Sequence, residues 1–159
     1  MRFEGTVQRL DRVDVRDVVR WVSGIPWEAW PQQDRLADGA IRPAMVNDLR
    51  WQGFGAETLA MVLAVQALMP VGLRPGQRLL SVVMPGHSIP AHVDRQAPDW
   101  FGRVHVPLMT DPASAFVVDG WPHHLDVGWA YVVNTLREHS VTNAGGILPR
   151  VHFMVDFHR

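Results

Sequence analysis

The pattern of apolar and polar positions changes its period near residue 75. Phe3 to Leu10 alternates weakly, as an edge strand would. Asp11 is placed to cap a helix from Arg12 to Ser23, with Val15, Val18, Val19 and Val22 on one face and Gly24 as the stop. Residues 25–54 read as irregular, punctuated by Pro26, Pro31 and Pro43 and by Trp27, Trp30 and Trp51. A helix from Ala56 to Met69 is apolar nearly all round, which implies burial against something large, and Pro70 ends it. Beyond Pro75-Gly76 the period becomes two. Gln77 to Met84, Arg103 to Met109, Ala115 to Asp119, Trp129 to Val133, Glu138 to Thr142 and Arg150 to Phe157 each predict a strand. Turn residues separate them, among them Pro85-Gly86, Asp111-Pro112, Asp119-Gly120 and Gly145-Gly146. Short strands with no helix between them predict an antiparallel sandwich or barrel. No linker or repeat interrupts the chain, so residues 1–159 are expected to form one domain. Residues 1–75 would be mostly helical or irregular support, and residues 76–159 the β core that carries the site.

Strand parity then separates two kinds of face. In the last strand Val151, Phe153, Val155 and Phe157 are suited to pack under the N-terminal helices, while Arg150, His152, Met154 and Asp156 point the other way. In the strand at Arg103, Val104, Val106 and Leu108 oppose Arg103, His105 and Pro107. Two strands with an Arg-x-His on the same side predict a barrel with a polar interior. Buried cations without partners are costly, so that interior must have something to bind.

Composition removes several chemistries. The formal net charge is −1, which argues against a nucleic-acid partner. There is no cysteine, excluding thiolate metal sites, disulfides and cysteine nucleophiles. All 15 basic residues are arginine, excluding lysine Schiff-base chemistry and a Walker-type phosphate loop. No stretch is long and apolar enough to suggest a membrane span, and no secretory signal is evident, so a cytoplasmic protein is expected.

All eight histidines lie at or beyond His87. His92-Val93-Asp94 sets two ligand side chains on one side of an extended segment, and His139 at the start of a later strand is the best third. Two histidines and one carboxylate on one face of an octahedron leave three positions open, the arrangement of non-haem Fe(II) oxygenases. Arg150, eleven residues after His139, offers a bidentate fork for the far end of a dicarboxylate co-substrate. The same three ligands would also serve a cupin-like metal-dependent isomerase or hydrolase, or a non-catalytic module that binds a metal or small acid.

The segments GHSIPAHVD from Gly86, RVHVPL from Arg103, FVVDGWPHHLDVGWAYVVN from Phe116 and HSVTNAGGILPRVHFMVD from His139 resemble the aspartyl/asparaginyl β-hydroxylase family of Fe(II)- and 2-oxoglutarate-dependent oxygenases. The resemblance runs from about Ser81 to Asp156. It implies a mainly β protein with a double-stranded β-helix (jelly-roll, cupin-like) core and N-terminal helices. It also implies Fe(II), 2-oxoglutarate and dioxygen as reaction partners, and an amino acid or an Asp- or Asn-type residue of a peptide or protein as substrate. His92 and His139 match the family's metal-binding histidines, and Arg150, with Ser81, the residues that grip the distal carboxylate of 2-oxoglutarate. Arg103 and His105 match an Arg-x-His pair near substrate and co-substrate: Arg103 is assigned to substrate, His105 to co-substrate. Asp94 is a departure from the animal members, which have lost that carboxylate, and it restores the ordinary triad. Two structural roles compete for Arg103, pairing with Asp99 or with Asp119. His123, His124 and His158 are expected to be solvated or irrelevant.

Overall fold

The computed structural model describes residues 2–25, 46–47 and 56–159. Trp27, Trp30 and Trp51 lie outside the described residues, as do Arg42 and Arg50, two further arginines that would suit a pocket for a carboxylate-bearing substrate. The described elements are, in order, β1 (Val7–Arg12), α1 (Arg16–Ser23), β2 (Val46–Asn47), α2 (Ala56–Ala67), β3 (Arg74–Val83), β4 (Ser88–His92), β5 (Trp100–Met109), β6 (Ala115–Val118), β7 (Trp121–His123), β8 (Trp129–Val133), β9 (His139–Thr142) and β10 (Arg150–His158). Six strands form one antiparallel sheet in the order β1-β8-β5-β10-β3-β2, and four form a second in the order β4-β9-β6-β7. From β3 to β10 the chain passes back and forth between the two sheets, with only the β6–β7 hairpin staying in one, which is the jelly-roll, double-stranded β-helix path.

Parity sorts the side chains as the sequence pattern predicts. Val151, Phe153, Val155 and Phe157 of β10 pack with Val104 and Val106 of β5, Val18 of α1 and Met61, Val62 and Val65 of α2 on the outer face of the larger sheet. A second apolar cluster, including Val83, Phe116, Val118, Tyr131, Val133 and Val141, occupies part of the space between the sheets. The polar half of each strand faces that same interior. Ser81, Arg103, His105, His139, Arg150, His152 and Asp156 are all buried. So many buried polar groups in one place mark the site.

Most strand and helix ends shift from the sequence pattern by one to three residues, as where β3 starts at Arg74 and β5 at Trp100, and three larger departures have physical reasons. The first strand runs on to Arg12, which pairs with Trp129 of β8, so α1 starts only at Arg16. Its start is marked by Asp14, whose Oδ1 accepts from the Arg16 N–H at 3.0 Å, and not by Asp11. Strands β4 and β7 were missed because Pro90 and Pro122 sit inside them. Both are outer strands of the four-stranded sheet, where a residue without an N–H costs no ladder bond. The tight β6–β7 turn is made by Asp119 (φ 50°) and Gly120 (φ 80°), the left-handed pair that a two-residue hairpin loop requires.

Candidate metal centre

His92 ends β4 and His139 opens β9, and the register makes them direct cross-strand partners. Facing residues on paired strands share a side of the sheet, so the two rings meet with centroids 4.2 Å apart. Asp94 follows two residues after His92, and its backbone N–H donates to the Thr135 carbonyl at 3.0 Å, tying the segment to the β8–β9 loop. One ligand atom from each of His92, Asp94 and His139 lies within 4.8 Å of the others. His92 Nε2 stands 3.6 Å from Asp94 Oδ1. Adjacent donors on an octahedral ion with bonds near 2.1 Å stand about 3 Å apart, so closure onto a metal needs only a small movement.

Proton placement suits coordination. Nδ1 of His92 donates to the Pro90 carbonyl at 2.8 Å, and Nδ1 of His139 to the Arg137 carbonyl at 2.9 Å. A carbonyl can only accept, so in both rings the proton sits on Nδ1 and the lone pair on Nε2. Burial, and then the neighbouring His92, holds the His139 pKa below its ordinary value and keeps that ring neutral. Nitrogen and carboxylate donors without thiolate fit Fe(II) or a similar divalent ion.

The outer oxygen of Asp94 is already occupied. Arg103 Nη1 donates to Asp94 Oδ2 at 2.8 Å, while its Nε and Nη2 fork onto Asp156 Oδ1 and Oδ2, each at 2.9 Å. Trp100 Nε1 donates to the same Asp156 Oδ1 at 3.0 Å. Gln96 Nε2 spans Asp94 Oδ2 and Thr135 Oγ1 at 3.4 and 3.2 Å.

A single cavity of about 60 Å³ joins the triad to the barrel interior, lined by Ser81, Arg103, His105 and Arg150 as well as by His92, Asp94 and His139. Arg150 is 2% exposed and donates from Nη2 to His152 Nδ1 at 3.0 Å. Among the described residues it has no carboxylate partner. Burial alone pulls its guanidinium well below the ordinary arginine value, to about 9, the mark of an uncompensated charge. Burial, reinforced by the positive Arg150, also drives His105 and His152 well below the usual histidine value. Their Nε2 atoms are buried without a hydrogen-bond partner. A cavity lined by a buried cation that has no acidic partner among the described residues is suited to an anion.

Residues 55–159 match the family model for aspartyl/asparaginyl beta-hydroxylase. The chain belongs to that family. No curated protein sequence matches it. Solved structures share the fold at low identity. The viral collagen prolyl hydroxylase of Paramecium bursaria Chlorella virus-1, solved with 2-oxoglutarate, superposes with a TM-score of 0.69 at 6% identity, covering 97% of this chain and 96% of that one. AviO1 from Streptomyces viridochromogenes gives 0.64 at 14% identity, covering 97% and 90%. A Pseudomonas putida prolyl-4-hydroxylase gives 0.59 at 16% identity, covering 98% and 94%. The family and the His-Asp-His group together make the chain a non-haem iron oxygenase that uses 2-oxoglutarate.

The hydroxylase therefore brings all seven residues singled out from the sequence around one cavity. Two pairings considered for Arg103 are not found: Asp99 accepts from His158, and Asp119 from Arg137. The partners are instead Asp94 and Asp156. Sequence reasoning put Asp156 on the polar face of β10 without giving it a task, and it gave Gln96 and Thr135 none. Trp100, the tryptophan nearest the triad in sequence, is wholly buried and linked to it through Asp156 and then Arg103. His124 is exposed and its Nδ1 donates to the Ser114 carbonyl, as a loop histidine would. His123 is less solvated than expected, since its Nε2 is buried and unpartnered. Among the described residues no helix is long and apolar enough to cross a membrane.

Proposed function

We propose that the hydroxylase holds Fe(II) on His92, Asp94 and His139 and seats 2-oxoglutarate in the adjoining cavity with its distal carboxylate on Arg150. The substrate would be an amino acid, or an Asp- or Asn-type residue of a peptide or protein, hydroxylated at an unactivated carbon. The observation that carries this reading is Arg150: a fully buried guanidinium, without an acidic partner among the described residues, in the same cavity as the triad. A metal-dependent isomerase would use the three ligands but leaves that charge unexplained.

Bound Fe(II) and 2-oxoglutarate supply the oxidant, as dioxygen is reduced and the keto acid is converted to succinate and carbon dioxide. The chain's own residues do the rest. His92 and His139 offer Nε2 lone pairs because their Nδ1 protons are committed to backbone carbonyls. Arg150 supplies a charge-assisted fork in a dry setting, where it is worth more than at a surface. Ser81 sits opposite His152 in the β3–β10 register, one strand from Arg150 and on the same face, within the lining of the cavity. His105 lines the same cavity, held by its Nδ1 against His152 Nδ1 at 3.4 Å, and packs beside the seated co-substrate. His92, with a side chain 42% exposed, marks the side from which a substrate reaches the metal. Isothermal titration of the Mn(II)-loaded protein with 2-oxoglutarate tests the reading: binding that vanishes with Arg150→Met supports it, and binding indifferent to that change refutes it.

A further inference from the structure

We propose that Arg103 is a positioning residue that restricts Asp94 to one coordinating oxygen, and that buried Asp156 is what keeps Arg103 in that role. This rests on the metal reading above and replaces the substrate contact expected for Arg103 from the sequence. The two oxygens of Asp94 are in unlike surroundings. Oδ2 accepts from Arg103 Nη1 at 2.8 Å and from Gln96 Nε2 at 3.4 Å, while Oδ1 turns toward His92 Nε2 at 3.6 Å. A carboxylate held by its outer oxygen binds an ion through the inner one alone. The consequence is stoichiometric. With one donor each from His92, Asp94 and His139, a six-coordinate ion keeps three positions open, two of which a chelating keto acid needs. A two-oxygen Asp94 would take one of the three.

Arg103 can hold this pose because it is not free to turn. Its Nε and Nη2 are forked onto Asp156, directly opposite it in the β5–β10 register, and Trp100 Nε1 fixes Asp156 in turn. Arg103, Asp156 and Trp100 are 8%, 2% and 0% exposed. One guanidinium thus faces two carboxylates, and the negative charge left over stays on Asp94, toward the ion. Without the Asp156 charge the whole of the Arg103 fork is available to Asp94, where it competes with the metal for both oxygens.

A residue that touches no ligand atom of the site therefore controls metal affinity. Titrating the full-length apoprotein with Mn(II), a redox-silent probe, tests this. Asp156→Asn is expected to weaken Mn(II) binding tenfold or more, the usual scale for partners that orient a ligand. Val104→Ala, a core change on the same strand pointing to the opposite face, lowers stability without touching the network and should leave Mn(II) affinity within twofold of the parent. A folded Asp156→Asn protein that binds Mn(II) within twofold of the parent overturns the inference and leaves the site assignment standing. A parent that does not bind Mn(II) overturns the site assignment itself. If Asp156→Asn does not fold, the crystal structure of the parent with Mn(II) decides. Asp94 bound through Oδ1 with Oδ2 still on Arg103 is expected; Asp94 chelating through both oxygens overturns the inference.

Discussion

Replacing Arg150 by methionine should make the empty protein more stable while destroying its affinity for 2-oxoglutarate. Lowering the guanidinium from its ordinary value to about 9 by burial corresponds to a cost on the order of 5 kcal/mol, at about 1.4 kcal/mol per tenfold change in proton affinity. Methionine has similar length and no charge, so it fills the space and removes that cost. It also leaves His152 Nδ1 with only the longer 3.4 Å contact to His105 Nδ1, a loss of about 1 kcal/mol. Breathing and water entry reduce the benefit, and a net gain of about 1–4 kcal/mol is expected, as when other buried charges are replaced by apolar residues. At about 2–4 °C per kcal/mol for a chain of this size, the apoprotein Tm should rise by several degrees. Binding should move the other way. Losing one partner of a buried, hydrogen-bonded charge pair costs about 2–5 kcal/mol, so Kd for 2-oxoglutarate should rise roughly thirtyfold or more. Differential scanning fluorimetry and isothermal titration on the same samples measure both. An Arg150→Met protein that is less stable when empty and binds 2-oxoglutarate like the parent would refute the argument, because Arg150 would then be a structural residue.

Other outcomes follow from the same geometry. His92→Ala, Asp94→Ala and His139→Ala should each abolish turnover and weaken Mn(II) binding, while circular dichroism shows the strands intact; full activity in Asp94→Ala would point to a two-histidine site. His105 and His152 are held neutral, with folded pKa values well below 6.5, so the stability they confer is full above about pH 6.5 and is lost as pH falls below it toward those values. Thermal melts of the apoprotein between pH 7 and 5 should therefore show a falling Tm, with a shallower fall in His152→Phe. Phe153→Ala, at a wholly buried position of a strand with neighbours on both sides, should cost about 3–5 kcal/mol in urea denaturation and leave the pattern of ligands unchanged.

Much of this was legible in the sequence because strand alternation reports directly on which face a side chain takes. Val151 to Phe157 and Val104 to Leu108 announced the outer core, and their alternate residues announced the polar interior with Arg103, His105 and Arg150. The triad was legible because His-x-Asp keeps two ligands on one side of an extended chain. Less legible were the edges. Proline inside β4 and β7 hides a strand from propensity reasoning, although at an outer position the missing N–H costs nothing. The partners of Arg103 were hidden for a different reason. Asp94 and Asp156 are nine and 53 residues away in sequence, and only the pairing of β5 with β10 brings Asp156 opposite Arg103. Long-range register of this kind leaves no local signal. The face of Asp156 could be read, but its task could not.

The most direct test is succinate formation from 2-oxoglutarate by the parent protein supplied with Fe(II), ascorbate and air, set beside His92→Ala and Arg150→Met. The parent should consume 2-oxoglutarate and release an equal amount of succinate, His92→Ala should release none, and Arg150→Met should need far higher co-substrate concentrations. A parent that binds metal but neither binds nor decarboxylates 2-oxoglutarate would contradict the account and return the three ligands to a different metal chemistry.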